Sequence, residues 1–341
     1  MKKNDLSILV IGAGAIGGIT AALLRLNDYD VTVVAKHPDY SEIINNNGLK
    51  ISGSRGNHII KVPAVASLSE VKGKKDIIIL ATKANDMGLA AKEALPLLDE
   101  SGYMISMQNG MCEYELASIT STQKTVGCVV GWGATMNSPG DLIMSSTGHF
   151  ILGYLDRDPD EDLVTIAKVL SSVTPAHTTS NIVGHRYSKL IINSCITSPG
   201  AVCGLYLGQM LSIARMRRIF INIIREAVQV ANAMNIKIEV FGGRLDFYKF
   251  IKKNGTIANL KRNLMIRIIG FKYRRLKSSS LQSLERGKPT EIEHLNGFIV
   301  KNGLKFNIPV PVNSKITELV RMIEQGLLPV GIGNFDDAVF D

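Results

Sequence analysis

Cysteine is sparse in this chain, metal-ligand clusters are missing, and no acidic residue stands at Ala35-Lys36-His37-Pro38, where an early apolar run ends. The four cysteines, Cys112, Cys128, Cys195 and Cys203, never fall at C-x-x-C spacing and sit in apolar runs. That predicts buried thiols in a reducing compartment, hence a cytoplasmic protein, and argues against a disulfide framework or a zinc site. No grouping of His, Cys and Asp suggests a metal. Long apolar runs are interrupted. Leu6–Leu24 is uncharged, but Gly12, Gly14, Gly17, Gly18 and Thr20 break it, whereas a spanning helix needs about 20 mostly apolar residues. An export signal would need a small-residue cleavage site, yet a turn and second strand at Asp28–Ala35 follow at once. Leu190–Ala214 is also uncharged. Asn193, Ser194, Thr197, Ser198, Pro199 and Gln209 interrupt it, and Pro199-Gly200 predicts two core helices joined by a kink.

With 341 residues, 45% hydrophobic and 20% charged, the chain has the length for about two domains with real cores. The formal charge of +9 has three readings: nucleic acid, a membrane surface, or an anionic ligand. Much of the excess sits in Lys252–Lys277, with Lys252, Lys253, Lys261, Arg262, Arg267, Lys272, Arg274, Arg275 and Lys277. This segment has no nucleic-acid motif and no stacking series of aromatics. It reads as a solvated basic face, so neither nucleic acid nor membrane is expected as a partner.

The stretch LSILVIGAGAIGGITAALL reads as a buried strand, a glycine turn and the opening of a helix. Gly12, Gly14 and Gly17 fit G-x-G-x-x-G in that context. The first glycine permits the tight turn, the second admits a pyrophosphate, and the third lets the helix approach the strand. The helix N-terminus then favours a phosphate. The second strand ends Val34-Ala35-Lys36-His37-Pro38. A carboxylate at that tip would bond a ribose 2′-hydroxyl, whereas a basic residue suits a 2′-phosphate. Lys36 and His37 therefore point to NADP, unless Lys36 is simply a surface lysine.

Further along, Asp76–Leu80 is a parallel-type strand ending in Ala81-Thr82-Lys83, and ligands lie beyond such strand ends. Tyr103–Met107 is the next strand, followed by Gln108-Asn109-Gly110, where Asn109 is either a ligand contact or a turn former. Thr125–Gly131 and Leu142–Leu152 read as strands extending the sheet in antiparallel fashion, and Leu163–Val173 as a helix. These residues, 1–180, form an α/β Rossmann domain, and residues 181–341 an all-α domain.

In the second domain Lys189, Asn193 and Thr197 recur every fourth residue, on one helical face among apolar neighbours. A lysine there needs a partner, which fits either a functional role or a bridge between domains. Ile219–Met234 reads as an amphipathic helix containing Glu226. Thr290 and Glu293 read as a capping box that puts Glu291 in the first turn of a helix, with Ile292, Leu295 and Ile299 toward the core. Gly303 is expected to end that helix and Asn313 to cap the last one.

Several blocks stand in a familiar order: GAGAIG at Gly12–Gly17, ATKA around Lys83, QNG around Asn109, KLIIN at Lys189–Asn193, SSLQSLERGKPTEIEHLNG at Ser279–Gly297, and PVPVN after it. Over nearly its whole length the chain resembles the ketopantoate reductase (2-dehydropantoate 2-reductase) family. The resemblance implies an active site in a cleft between a Rossmann and a helical domain, and NADPH-dependent reduction of ketopantoate to pantoate on the route to coenzyme A. It implies catalytic roles for Lys189 and Glu291 and substrate contacts by Asn109, Asn193, Thr197 and Ser279. It implies cofactor contacts by Gly12, Ala13, Gly14, Ala15, Ile16, Gly17, Lys36, Lys83, Asn109 and Glu291. One departure is Thr197-Ser198-Pro199, where the family commonly has an asparagine before the proline; this bears on the identity of the keto acid. Alternatives are reduction of another 2-keto acid, or a non-catalytic NADP-binding regulator. A homodimer through the helical domain is a further expectation.

Overall fold

The uncharged strand that opens the chain, β1 (Ser7–Ile11), lies in the interior of a sheet, which explains why it is apolar on both faces. The computed structural model describes residues 6–252 and 255–340, so Lys253 lies outside the described residues. The chain divides into two compact units. Unit one comprises the described residues up to Gln108 together with Cys112–Ile182; unit two comprises Asn109–Met111 and the chain from Val183 onward.

In unit one the elements run β1, α1 (Ala15–Leu26), β2 (Asp30–Val34), α2 (Pro38–Asn47), β3 (Leu49–Gly53), β4 (His58–Ile60), β5 (Ala64–Val65), β6 (Lys75–Leu80) and α3 (Ala84–Ala94). They continue with β7 (Leu98–Ser106), α4 (Glu113–Thr120), β8 (Thr125–Val130), β9 (Gly133–Ser138), β10 (Asp141–Ser146), β11 (Phe150–Gly153), α5 (Glu161–Leu170) and β12 (Ala176–Thr178). The main sheet has the order β12-β11-β8-β7-β6-β1-β2-β5. Every pair in it is parallel except β11 with β8. β1 pairs with β2 on one side and β6 on the other, so the strand order reverses beside it. The carboxyl ends at such a reversal are where doubly wound sheets receive ligands.

The stretch Leu142–Leu152 is not one strand. Asp141–Ser146 joins a second sheet of order β4-β3-β10-β9, and Phe150–Gly153 returns to the main sheet. The break falls at Thr147-Gly148-His149. A Cβ on Gly148 would stand 2.1 Å from the Gly131 carbonyl oxygen, so the crossing needs glycine. The small sheet covers α1 through a similar approach: a Cβ on Gly18 would stand 2.5 Å from Leu142 Cδ1.

Unit two is helical apart from one isolated bridge between Phe241 and Leu245 among its described residues. It contains α6 (Ile182–Cys203), α7 (Leu207–Ser212), α8 (Ala214–Ala233), α9 (Phe247–Lys252), α10 (Thr256–Lys272), α11 (Ser279–Glu285), α12 (Asn296–Lys305) and α13 (Pro311–Glu324). Pro199 does not separate two helices; it lies inside α6, and the break comes at Gly204, whose φ is +72°. An interior proline costs about 3 kcal/mol. Burial of Leu190, Ile191, Cys195, Ala201 and Val202 along α6 offsets that cost.

Three local expectations also change. Glu293 does not complete a capping box: it binds Arg321 with two contacts of 2.6 and 2.7 Å, while Thr290 Oγ1 accepts from the Ile292 amide. Gly303 does not end α12, which runs to Lys305; its bare Cα instead admits Val310. Asn313 sits inside the first turn of α13. The side chain that satisfies that turn is Glu226, accepting from the Val312 and Asn313 amides at 2.9 Å.

All four cysteines are buried and unbridged. Among the described residues no helix is long and apolar enough to cross a membrane, and no group of three or more His, Cys, Asp or Glu is arranged to hold a metal ion.

Candidate active site

Unit one holds the glycine turn at the carboxyl end of β1. Gly12 has φ +106°, and a Cβ there would stand 2.9 Å from the Ala81 carbonyl and the Thr82 amide. Gly17 is tighter: its Cβ would meet the Gly12 carbonyl oxygen at 2.0 Å and Ala81 Cβ at 2.8 Å. The first and third glycines are therefore required by the protein's own packing. Gly14 differs, because a Cβ there would meet nothing within 4 Å. It is the N-cap of α1, and no side chain caps that helix. Open space beside a glycine and a helix N-terminus without a side-chain cap fit a dinucleotide pyrophosphate. Ala13, Ala15 and Ile16 complete the turn.

Tyr40 fastens this turn from α2. Its hydroxyl donates to the Ala13 carbonyl at 2.5 Å, and burial pushes its phenol above the usual range. The sequence gives little warning of this contact, since 27 residues separate the partners. Lys36 and His37 follow β2 and are exposed; His37 is the N-cap of α2, with Pro38 next. Lys83 follows β6 as the exposed N-cap of α3. Ala81, two residues before it, is the neighbour that Gly12 and Gly17 approach.

Unit two gathers the other candidates. Lys189, Asn193 and Thr197 lie on successive turns of α6, the first two half-buried and Thr197 buried. Asn193 Nδ2 donates to Asn109 Oδ1 over 3.3 Å, bringing residues 84 apart in sequence together. Asn109 belongs to this unit although it follows a strand of unit one. Its loop is held from two sides. The buried Arg186, one turn before Lys189, donates through Nη2 to the Gly110 carbonyl at 2.7 Å. Gly110 has φ +84°, and a Cβ there would stand 2.5 Å from the His294 carbonyl oxygen. His294 closes the short turn Ile292–His294 that begins at Glu291. Glu291 is itself buried, so the Asn109 loop packs against the turn that carries it.

The serine block divides its work. Ser278, buried, accepts from the Leu281 amide and donates to the Thr197 carbonyl at 2.8 Å. Gly200 permits that approach, since its Cβ would stand 2.7 Å from Ser278 Cβ. Ser279 starts α11 and is exposed, beside this attachment to the Thr197 turn. Behind α6 runs a buried polar chain. Asn296 donates to the Ser194 carbonyl at 3.3 Å and to Asn313 Oδ1 at 2.9 Å, and Asn313 donates to Glu226 at 2.6 Å. It fixes the helix that carries Lys189 and Asn193 to α12, α13 and α8.

Arg186, Ser278 and His294 escape sequence reasoning. Arg186 and Ser278 each donate to the backbone carbonyl of a residue far away in the chain, and His294 crowds Gly110 with its own carbonyl, which leaves no pattern of spacing. Unit one thus presents the glycine turn with Lys36 and Lys83, while Asn109, Lys189, Asn193, Thr197, Ser279 and Glu291 belong to unit two.

Comparison with known proteins agrees with this architecture. The family model described as "Ketopantoate reductase PanE/ApbA" matches residues 8–157, and its C-terminal counterpart matches residues 181–324. The chain is 28% identical to the 2-dehydropantoate 2-reductase of Archaeoglobus fulgidus over 321 residues, covering 94% of this chain and 98% of that protein. A crystal structure of a PanE/ApbA family ketopantoate reductase from Ralstonia eutropha JMP134 superposes with a TM-score of 0.81 at 27% identity, covering 94% and 99% of the two chains. D-mandelate dehydrogenase in a ternary structure with NADH and anilino(oxo)acetate has the same fold, with a TM-score of 0.81 at 21% identity and 94% and 99% coverage. With both halves matched in order by the models of one oxidoreductase family, the chain belongs to the ketopantoate reductase family.

Proposed function

We propose that this chain uses NADPH to reduce the 2-keto group of ketopantoate, giving pantoate on the route to coenzyme A. The observation that carries the reading is the Asn193–Asn109 hydrogen bond one turn from Lys189 on α6. It groups a proton donor with two amides able to hold a substrate. The turn Gly12–Gly17 would hold the pyrophosphate, with Ala13, Ala15 and Ile16 contributing backbone contacts. Lys36 would pair with a 2′-phosphate, which is the basis for NADPH over NADH. Lys83, Asn109 and Glu291 would meet the cofactor nearer its nicotinamide end. When bound, the reduced nicotinamide supplies the hydride.

The protein's own residues do the rest. Negative charge grows on the substrate carbonyl oxygen, and the Lys189 ammonium both compensates it and delivers a proton from Nζ. Ser279, Asn193 and Asn109 hold the carboxylate and the remaining polar groups, which fixes the keto carbon for attack. Glu291 orients Lys189 or accepts from a substrate hydroxyl. The four buried free thiols favour a reducing cytoplasm as the setting.

A second reading keeps the chemistry and changes the acid. Thr197 supports it, because a hydroxyl there offers less than the asparagine common in the family, and one hydrogen-bonding partner can shift discrimination by orders of magnitude. The test is NADPH oxidation by the purified protein with ketopantoate and a panel of 2-keto acids, with NADH in parallel. Turnover on ketopantoate with preference for NADPH supports the proposal. Turnover only on another acid selects the second reading. Tight NADPH binding with no turnover on any acid identifies a regulator and rejects both.

A further inference from the structure

Between Asp246 and Glu285 the chain has no acidic residue and ten basic ones, while the rest of the chain holds 29 basic residues against 30 acidic ones. The entire positive excess therefore falls on one segment of unit two, with α10 at its centre. Helix α10 is apolar on two opposite sides. Ile266 and Gly270, with the buried Arg262, form its inner face; a Cβ on Gly270 would stand 2.9 Å from Leu211 Cβ of α7. Spacings of 3, 4, 4 and 3 residues put Ile257, Leu260, Leu264, Ile268 and Phe271 on the outer face, at about 100° per residue almost directly opposite. These five side chains are 59–73% exposed. Lys261 and Lys272 border the stripe on one side and Arg267 on the other, with Arg274 and Arg275 beyond its end. Among the described residues none of these five cations forms an ion pair with a carboxylate. Next to them α7 and α10 enclose an open groove of about 820 Å³ whose lining includes Tyr206, Gln209, Ser212, Arg267, Arg274 and Arg275. These cations are solvent-exposed, as expected from the sequence; the apolar stripe that runs between them was not expected from it.

We propose that the outer face of α10 docks on the surface of a lipid bilayer carrying anionic headgroups. The helix would lie in the plane of the interface, its stripe entering the acyl boundary and its flanking cations meeting lipid phosphates. Charge selects this occupant. A second copy laid stripe to stripe would set these cations against their equals with no acid on the segment to compensate. A nucleic-acid backbone would match the charge but leave the four aliphatic side chains of the stripe in water. The docking is peripheral, and it is independent of the reductase reading.

The test is co-sedimentation of the full chain with extruded vesicles of phosphatidylcholine alone or mixed with phosphatidylglycerol. The expected result is binding to the mixed vesicles only, weakening as salt rises and screens the charges. Two triple variants separate the contributions: K261E/R267E/K272E removes the complementary charge, and L264S/I268S/F271S removes the stripe. Each should lower vesicle binding at least about tenfold, as expected when several interfacial contacts are lost together, with an unchanged melting temperature and with activity like the parent. Three results overturn the proposal. One is no binding to mixed vesicles at low salt. Another is a wild-type dimer that L264S/I268S/F271S converts to monomer, which assigns the stripe to a second copy. The third is duplex DNA binding that survives loss of the stripe while vesicle binding is absent.

Discussion

Asn193 and Asn109 share a hydrogen bond across 84 residues of sequence, and the loop that carries Asn109 is gripped by Arg186 from the same helix. Helix α6 thereby positions both amides and Lys189 with one rigid element. A double-mutant cycle tests whether the pair acts as a unit. Asn109→Ala and Asn193→Ala should each raise the KM for the keto acid about tenfold or more, and the double variant should cost less than the product, with a coupling of about 0.5–1.5 kcal/mol. Strict multiplicativity would mean that the two amides act separately.

The glycines of the turn make a differential prediction. Gly17→Ala places a Cβ 2.0 Å from the Gly12 carbonyl, so it should destabilise the fold by at least about 1–3 kcal/mol and abolish dinucleotide binding. Gly14→Ala meets no protein atom within 4 Å and should leave the melting temperature unchanged while weakening NADPH. Thermal melting and a binding titration on both variants check this. Equal loss of stability in both would show that Gly14 also serves the fold.

In the proposed reaction Lys36 would pair with the 2′-phosphate and so favour NADPH. Lys36→Ala should raise the Kd for NADPH about tenfold to a hundredfold, the cost of one charge-assisted contact, and leave NADH nearly unaffected. Parallel titrations decide it, and equal weakening of both cofactors would assign Lys36 another role.

Glu226 predicts an acid-side stability effect. Burial raises its carboxyl above the ordinary 4.5, against lowering by its hydrogen bonds to Asn313 and Val312. A group raised in the folded state adds stability that is full below its unfolded value and is lost as pH rises through the folded one. Glu226→Ala should cost about 2–4 kcal/mol near neutrality, because it strands the donors of α13. That penalty should grow as the pH falls from 7 and level off below about 4.5, the ordinary carboxylate value. Urea titrations of both proteins across this range measure it; a penalty that shrinks toward acid would contradict the assigned shift.

Much of this architecture could be read from the residues, for reasons that differ by element. Gly12 and Gly17 were legible because a tight turn and a close approach leave no room for a side chain, and both constraints appear in the structure. The every-fourth-residue spacing of Lys189, Asn193 and Thr197 put them on one face, as α6 does. Pro199 misled because local propensity says helix break, whereas burial along α6 carries the helix through to Gly204. The Thr290–Glu293 signature misled because Arg321, 28 residues beyond Glu293, competes for its carboxylate. Asn109 follows a strand in sequence yet belongs with the helices, because Arg186, Asn193 and His294 hold its loop. The outer stripe of α10 was hidden by the charges interleaved with it, and helical phase separates the two only once the buried face is known.

The central claim is that Lys189 supplies the proton when the keto group is reduced. The direct measurement is kcat for Lys189→Ala with ketopantoate, alongside the Kd for NADPH of the same variant. A fall of about 10²- to 10⁴-fold in kcat, with NADPH binding retained, is the predicted result. Turnover near that of the parent protein would contradict the account.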